Sequence, residues 1–267
     1  MPRLAQLACV TVACLALLGC PLPPRVESQE AYEAKPGGPT VDHSTFDAVL
    51  QRHVDAEGWV DYAALAADSS QLDAYLGRLA ALDLESLGRD ERLATLINAY
   101  NAFTLRLILD HWPLESIRDI PSDERWKGRT WLLGGERLTL DQIEHEEIRP
   151  KFREPRIHFA VNCASIGCPP LRPEAFVGAR LEAQLEEQTR MVHADPRWLS
   201  HDAARGEVAL TKIYSWFGDD FEQSPAGSVL AFVARYDPRV AEALAADQEP
   251  SVDWLDWDWT LNDVSKR

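Results

Sequence analysis

Basic residues are scarce in this chain. Its 267 residues include 27 lysines and arginines against 43 aspartates and glutamates, which gives a formal net charge of −16 at pH 7. Such a field repels phosphate groups at long range, so the composition disfavours a nucleic-acid partner. The apolar and charged fractions, 46% and 26%, are those of an ordinary globular protein and not of a disordered one.

The chain also lacks an apolar run long enough to span a bilayer. Residues 4–18 are almost all apolar but fall short of the ~20 residues that a spanning helix needs. The run follows Arg3 and ends in Leu-Gly-Cys at Cys20, which resembles the bacterial lipoprotein signal. We therefore predict a signal peptide over residues 1–19 and lipidation of Cys20. The alternative is an ordinary signal peptide with chance cysteines.

This N-terminus predicts where the protein is located. Pro21 follows the cysteine in place of the aspartate of the common inner-membrane retention signal, so we expect an exported protein anchored in the outer membrane and facing the periplasm. Residues 20–40 are rich in proline, glutamate and glycine without periodicity, which predicts a flexible tether. Residues 41–267 are predicted to form a single globular domain.

Helical and strand patterns follow one another irregularly in this domain, which favours an α+β fold over a doubly wound sheet. We expect one buried central helix packed on a small, mostly antiparallel sheet. Helices are predicted over residues 43–53, 71–81, 89–112, 141–149, 174–191, 227–236 and 238–246. Strands are predicted over residues 129–133 and 137–140 as a hairpin, over 156–161 and 207–212, and over the tryptophan-rich 252–261 as a strand or turn.

The longest helical pattern is apolar nearly all round and contains two asparagines. In its segment LATLINAYNAFTLRLIL, Asn101 falls between apolar neighbours, and Asn98 lies one turn earlier. A buried amide must find partners, because each group left unmet costs about 1–3 kcal/mol. We expect the two side chains to tie down neighbouring loop backbone. The alternative is that one of them orients a catalytic histidine or binds a substrate oxygen.

The helix predicted over residues 141–149 carries acidic side chains on its apolar side. Glu144 and Glu147 fall on that side, and His145 lies nearer its edge. A carboxylate in an apolar environment needs an ion pair or hydrogen bonds, otherwise its pKa rises until it is neutral. The pattern fits equally a buried ion pair and a working carboxylate. Candidate partners for an ion pair are Arg106, Arg149 and Arg156.

Two cysteines lie in the stretch RIHFAVNCASIGCPPLRPEAF at residues 156–176. Removal of the signal peptide and lipidation of Cys20 leave Cys163 and Cys168 as the remaining thiols, in a compartment that oxidises thiols. We favour a disulfide between them, then a catalytic thiol at Cys163, and last a zinc site. In a straight strand His158 and Cys163 would point to opposite faces, so the base of a catalytic thiol would be His145, or His158 across a bend.

Three tryptophans alternate with acidic residues in WLDWDWTLN near the C-terminus, a pattern typical of a half-buried strand. We expect them to contribute to core packing more readily than to a carbohydrate-stacking surface.

Several segments together resemble the "domain of unknown function 547" family. They are INAYNAFTLRLILDHWPLESIRDI, LTLDQIEHEEIRPKF, RIHFAVNCASIGCPPLRPEAF, LTKIYSWFGDDF and DWDWTLN, in this order from about residue 45. The resemblance implies one domain and places Glu144, His145, His158, Cys163 and Cys168 in the family's motifs, but it supplies no reaction. A buried helix followed by strands that carry histidine is also similar to papain- and transglutaminase-like enzymes, at the level of fold alone. Those enzymes place the catalytic cysteine at the start of the buried helix. In this chain the helix carries Asn98 and Asn101, and the cysteines come later.

Two functions fit these observations. The first is an exported hydrolase or acyl transferase in which Cys163 attacks, His145 or His158 is the base and Glu144 orients the histidine; Asn98 or Asn101 would help bind an oxyanion. The second is a non-catalytic envelope module with a Cys163–Cys168 disulfide, which binds a small molecule, an envelope polymer or a protein. Neither reading requires a cofactor or a metal. Membrane contact would come from the lipid on Cys20.

Overall fold

A computed structural model of the chain describes residues 25–32, 37–202 and 204–267. The predicted signal peptide and Cys20 lie outside these residues. Within them, no helix is both long enough and apolar enough to cross a membrane.

The described residues form an α+β domain, as predicted. The α-helices are α1 Ser44–His53, α2 Tyr62–Ala67, α3 Ser70–Ala80, α4 Arg89–Asp110, α5 Ser122–Arg125, α6 Leu140–Gln142, α7 Leu181–Ala194, α8 Lys212–Trp216, α9 Gly218–Glu222, α10 Val229–Val233 and α11 Pro238–Ala245. The strands are β1 Thr130–Leu133, β2 Glu136–Thr139, β3 Leu199–Asp202, β4 Glu207–Leu210 and β5 Ser251–Trp254.

The strands form two small sheets. β1 and β2 make the predicted hairpin, with Leu133 opposite Glu136 across the turn at Gly134 and Gly135. The second sheet has the order β3-β4-β5, in which β3 pairs with β4 antiparallel and β4 pairs with β5 parallel. A long connection through helices α8 to α11 separates β4 from β5, which is what a parallel pair requires.

Helix α4 is the buried centre of the domain. Its apolar residues cover nearly the whole circumference, so it must be enclosed on all sides, and side chains from Arg92 to Leu105 are buried without a break. Helices α2, α3 and α7 pack against it. Its contact with the hairpin includes Phe103 stacked on Trp131, with ring centroids 5.0 Å apart. The central helix is therefore covered mainly by other helices and only locally by a sheet.

The strand predicted over residues 156–161 is wrong, because Pro155–Phe159 form a 3₁₀ helix. Pro155 fixes the backbone angle at the first turn, and the Glu154 carboxylate accepts from the Arg156 N–H. The same carboxylate pairs with the Arg156 guanidinium at 2.6 Å. A short apolar run fits a strand and a buried helical turn equally well, so periodicity could not separate them.

Two other predicted helices differ in form. The helix predicted from residue 174 begins only at α7, preceded by a 3₁₀ turn at Gly178–Arg180, because side-chain amides bind the backbone of residues 175–177 in an extended form. The helix predicted over residues 141–149 starts as α6 and continues as a π-helix at Ile143–Ile148. In its wider turn the Arg149 N–H donates to the Glu144 carbonyl at 3.0 Å.

Residues 25–32, within the segment predicted as a flexible tether, make specific contacts with the domain. The Ser28 N–H donates to Gln223 Oε1 at 2.9 Å, and Glu30 pairs with Arg89 at 3.0 Å. The Tyr32 ring lies 4.5 Å from the Arg92 guanidinium carbon. Eight residues of the segment are thus docked beside α4 and α9.

The buried apolar side chains form two clusters. The larger surrounds α4, and the smaller lies between α7, β4 and helices α8 to α11. The 3₁₀ helix lies at the boundary, since Ile157 belongs to the larger cluster and Phe159 to the smaller. His158 therefore lies between two hydrophobic clusters.

Candidate functional site

A cavity of about 100 Å³ lies at the boundary between the two clusters. It brings together three of the side chains singled out in the sequence: Glu144 from the π-helix, His158 from the 3₁₀ helix, and Cys163 from the loop that follows. The remaining lining residues are Tyr100, Val161, Cys168, Ile213, Trp216, Phe217, Trp257 and Trp259. Because residues 155–159 coil and do not extend, His158 and Cys163 reach the same cavity, which a straight strand would have prevented.

His158 is buried and held from one side by an acid. Its Nε2 donates to Asp220 Oδ2 at 2.7 Å, and the Phe217 ring stacks on the imidazole with centroids 3.9 Å apart. Burial lowers the pKa of His158, partly offset by Asp220. The imidazole is therefore neutral at pH 7, with its proton on Nε2. Its Nδ1 is a buried acceptor that has no hydrogen-bond partner within residues 25–32, 37–202 and 204–267.

Asp220 is itself fixed by an arginine. Arg149 donates through Nε and Nη2 to the two carboxylate oxygens at 2.7 and 2.9 Å. Burial opposes ionisation of Asp220, but the hydrogen bonds from His158 and Arg149 outweigh it and lower the pKa of the carboxyl to about 2. Asp220 is thus a carboxylate at neutral pH and sets the tautomer of His158.

His145 lies outside the cavity, behind this arginine. Its Nδ1 accepts a hydrogen bond from Arg149 Nη1 at 3.0 Å, and its Nε2 lies 3.7 Å from Asp141 Oδ1. Burial, reinforced by the charge of Arg149, lowers the pKa of His145 to about 4. This side chain supports Arg149 and is not placed to act as a base for Cys163.

Glu144 faces the cavity from the π-helix, a backbone form that is frequent at functional sites. Burial raises the pKa of its carboxyl from an ordinary value near 4.5 to about 7, against the opposing charge of Arg149 and a hydrogen bond from the Tyr100 hydroxyl. Its Oε1 lies 4.0 Å from His158 Nδ1, which is too long for a hydrogen bond. Glu144 is therefore close to the histidine but does not orient it.

Cys163 sits in a tightly held loop. Ala164 next to it takes a left-handed φ of 59°, which is uncommon outside glycine, and its N–H donates to Asn162 Oδ1 at 2.8 Å. Ser165 Oγ accepts from Trp257 Nε1 at 3.1 Å, so the hydroxyl hydrogen is free to donate to Cys163 Sγ, also at 3.1 Å.

The two cysteines are free thiols that touch each other. The Cys163 N–H donates to Cys168 Sγ at 3.0 Å. Hydrogen bonds from Cys168 and Ser165 lower the pKa of Cys163 despite its burial, whereas burial raises the pKa of Cys168 well above the usual value. Cys163 is thus the more readily ionised of the pair. The disulfide stays a prediction.

Asn98 and Asn101 hold loop backbone, in the way expected for a structural role. Asn98 donates to the Phe176 carbonyl at 2.7 Å and accepts from the Phe176 N–H at 2.9 Å. Asn101 donates to the Ala160 carbonyl at 2.9 Å and accepts from the Asn162 N–H at 2.8 Å. Neither side chain lines the cavity, so neither is placed to bind an oxyanion there.

One wall of the cavity is made of indole rings. Trp216 lies 4.6 Å from Trp257 and 6.2 Å from Trp259, measured between ring centroids. All three are half-buried, while Asp256 and Asp258 between them along the chain are exposed. Trp257 and Trp259 of the WLDWDWTLN segment therefore line a pocket and also pack against the two hydrophobic clusters.

Asp220, Tyr100 and Trp216 were not singled out from the sequence. Asp220 lies more than fifty residues beyond Cys163 in a short helix, and periodicity does not reveal which of two adjacent aspartates turns inward. The available signal was the polar pair in the otherwise apolar IYSWFGDDF. Among the described residues, no group of three or more histidine, cysteine or acidic side chains is arranged to hold a metal ion.

Comparison with known proteins gives one match. A family model described as "Protein of unknown function, DUF547" matches residues 84–191, a segment that includes Glu144, His158 and both thiols but stops before Asp220. No curated protein matches the chain, and no solved structure does. The match over residues 84–191 supports the DUF547 family resemblance that the sequence predicted.

Proposed function

We propose that the protein is a cysteine-dependent hydrolase or acyl transferase, with Cys163 as the nucleophile and His158 as the base. One observation carries this proposal: His158 Nδ1 is buried without a partner among the described residues and lies at the same cavity as Cys163, while Asp220 holds Nε2. A neutral imidazole whose free nitrogen shares a cavity with a thiol suits the activation of a sulfur nucleophile.

The reaction follows from these positions. His158 Nδ1 takes the proton of the Cys163 thiol, and the thiolate attacks the carbonyl carbon of an ester or amide. A C–S bond forms, the bond to the leaving group breaks, and the leaving group takes the proton from the imidazolium. Water or another acceptor, deprotonated by His158, then attacks the thioester and releases the thiol. Asp220 stabilises the imidazolium between these steps, because it is charged and 2.7 Å from Nε2.

Glu144 takes a different role from the one expected from the sequence. Its pKa of about 7 lets it exist in either form at neutral pH, which suits a group that receives or releases a proton. Since it does not touch His158, we place it on the side of the incoming or leaving group, with Asp220 in the orienting role.

The N-terminal sequence supports a cellular location for this activity. The apolar residues 4–18 and the Leu-Gly-Cys ending favour export and a lipid anchor on Cys20, with the domain facing the periplasm. Substrates would then be small molecules or components of the envelope.

A binding module with a Cys163–Cys168 disulfide is the second candidate. The contact between the Cys163 N–H and Cys168 Sγ at 3.0 Å favours it, because the two side chains are already adjacent. An oxidised pair would remove the nucleophile and leave the aromatic pocket as a binding site.

Acylation by p-nitrophenyl acetate, a small generic acyl donor, separates the two candidates. We expect the intact mass of the purified full chain to rise by one acetyl group, located on Cys163 by digestion, with loss of this adduct in Cys163→Ser and retention in Cys168→Ser. A bridged Cys163–Cys168 peptide in protein alkylated directly from the native envelope, or acylation that persists in Cys163→Ser, would overturn the enzyme proposal.

A further inference from the structure

Two hydrogen-bond acceptors lie close together at the cavity, and among the described residues nothing donates to the first of them. One is His158 Nδ1, which must be an acceptor because Nε2 carries the ring proton for Asp220. The other is Glu144 Oε1, 4.0 Å away. Burial without a donor is costly for His158 Nδ1, whereas Glu144 accepts a hydrogen bond from the Tyr100 hydroxyl. A ligand atom that donates two hydrogens would satisfy Nδ1 and bind Glu144 at the same time.

The spacing fits one tetrahedral nitrogen. An atom at a usual hydrogen-bond distance of about 2.9 Å from both acceptors would see them at an angle of roughly 90°. The N–H bonds of an amino group can satisfy that angle within the tolerance of a hydrogen bond. A hydroxyl group has one hydrogen and satisfies only one of the two acceptors, while water has two but brings no charge to the carboxylate.

The rest of the cavity favours a cation on a slender chain. Among the described lining residues none is lysine or arginine, and the nearby Arg149 is paired bidentately with Asp220. Indole rings attract ammonium groups, and Trp216, Trp257 and Trp259 form one wall. The whole chain has a net charge of −16, which draws cations and repels anions.

The volume of the cavity further limits which ligands it can hold. The cavity of about 100 Å³ is smaller than the ~150 Å³ that a benzene ring occupies in an apolar protein cavity, so it does not enclose a sugar ring. It admits an unbranched alkyl chain whose methylene groups lie along Val161, Ile213 and the aromatic side chains.

We propose that this cavity binds an aliphatic primary amine, with the nitrogen between His158 Nδ1 and Glu144 and the alkyl chain along the tryptophans. The inference deepens the proposed function and rests on it for its catalytic part: the amine is the nitrogen side of the amide. In cleavage it leaves with the proton from the His158 imidazolium. In transfer the ammonium gives one proton to Glu144, and the neutral amine attacks the Cys163 thioester and gives a second proton to His158. The C–N bond forms, the C–S bond breaks, and the leaving thiolate takes the proton from the His158 imidazolium.

The test uses n-pentylammonium chloride, with n-pentanol and sodium pentanoate as probes of the same length and different charge. Binding is read from tryptophan fluorescence in Cys163→Ser, so that it does not depend on a reactive thiol. We expect n-pentylammonium to bind about tenfold more tightly than n-pentanol, and pentanoate to bind least. Glu144→Gln should remove most of that preference. Glu146→Gln, which removes the same charge from the exposed face of the π-helix, should leave it unchanged.

Two outcomes would overturn the inference: equal binding of the alcohol and the ammonium, which would indicate an apolar chain site with water between the acceptors, or tightest binding of pentanoate. A separate readout distinguishes failure of the proposed function. In the wild type acetylated by p-nitrophenyl acetate, n-pentylammonium should speed loss of the acetyl group and yield N-pentylacetamide. Binding without acetylation of Cys163 would leave the amine site standing and reject the enzyme. Acetylation without binding or amide formation would reject the amine site alone.

Discussion

Helix α4 and the cavity beside it differ in how far their buried polar groups are hydrogen-bonded. On α4, Asn98 and Asn101 each donate to one backbone carbonyl and accept from one backbone N–H, so their polar atoms are matched by the loops they hold. In the cavity, His158 Nδ1 has no partner in the part of the chain that the structure describes, and Glu144, which accepts from the Tyr100 hydroxyl, lies 4.0 Å from it. Matched groups indicate a structural role, and unmatched acceptors in a cavity indicate a place for a ligand.

The backbone differs in the same way between the two regions. Helix α4 is regular over 22 residues. The cavity is built from a π-helix at Ile143–Ile148, a 3₁₀ helix at Pro155–Phe159 and a left-handed Ala164. Irregular backbone costs free energy and persists where the surrounding structure enforces it, which is common at functional sites. Here the side chains of Asn101 and Asn162 hold the irregular backbone of residues 160–164 in place through hydrogen bonds.

The largest effect is expected at Asp220. Asp220→Asn keeps the size of the side chain but no longer stabilises an imidazolium or fixes the His158 tautomer, so the acylation rate of Cys163 should fall by about 10³-fold or more. Asp219→Asn, on the same helix and paired with Arg25 near the surface, is the matched control and should keep the rate within about twofold. Thermal melts of both variants show whether the protein is folded. A folded Asp220→Asn variant with a normal rate would remove His158 from the mechanism.

The next effect tests the structural side of the comparison. Asn101→Ala leaves the Ala160 carbonyl and the Asn162 N–H without their partner, so we expect the free energy of unfolding to fall by about 2–4 kcal/mol in urea titrations. Thr104→Val is the control, because the Thr104 hydroxyl is buried on the same helix with no hydrogen-bond partner among the residues described, and its replacement should be nearly neutral. Equal losses of unfolding free energy in the two variants would contradict the conclusion that Asn101 holds the loop backbone in place.

The smallest effect concerns Glu144 and pH. Its pKa is near 4.5 in the unfolded chain and about 7 in the fold, so the folded state prefers the protonated form. Burial of this carboxyl therefore does not lower the free energy of unfolding below pH 4.5. The loss of stability grows as the pH rises and reaches at most about 3 kcal/mol above pH 7. Glu144→Gln should be more stable than the wild type at pH 8, with the difference vanishing near pH 4.

Glu146→Gln provides the control for this pH dependence, since its side chain is exposed on the same helix and should show no such trend. If Glu144→Gln destabilises the protein at pH 8, the carboxylate has a stronger partner than Tyr100 and the cavity is not short of donors.

The sequence was enough to predict the long helix, the hairpin and the burial of Asn98, Asn101 and Glu144, because each depends on local periodicity. It also identified Glu144, His158 and Cys163 as candidate catalytic residues. The enzyme hypothesis also required these three side chains to meet, but the sequence did not predict the backbone that brings His158 and Cys163 together. The coiled form of residues 155–159 is set by Pro155 and the Glu154–Arg156 pair and not by the apolar pattern. Asp220 was missed for a related reason: its contact with His158 spans 62 positions.

The most direct test of the account is the pH dependence of iodoacetamide alkylation, measured separately for Cys163 and Cys168 by mass spectrometry of the reduced, folded protein. Hydrogen bonds to Cys163 Sγ lower its pKa and burial raises that of Cys168, so Cys163 should alkylate with a midpoint below the ordinary thiol value of about 8.5, and Cys168 should stay largely unmodified. A Cys163 midpoint at or above that value, or equal rates at both thiols, would contradict the claim that Cys163 is an activated nucleophile.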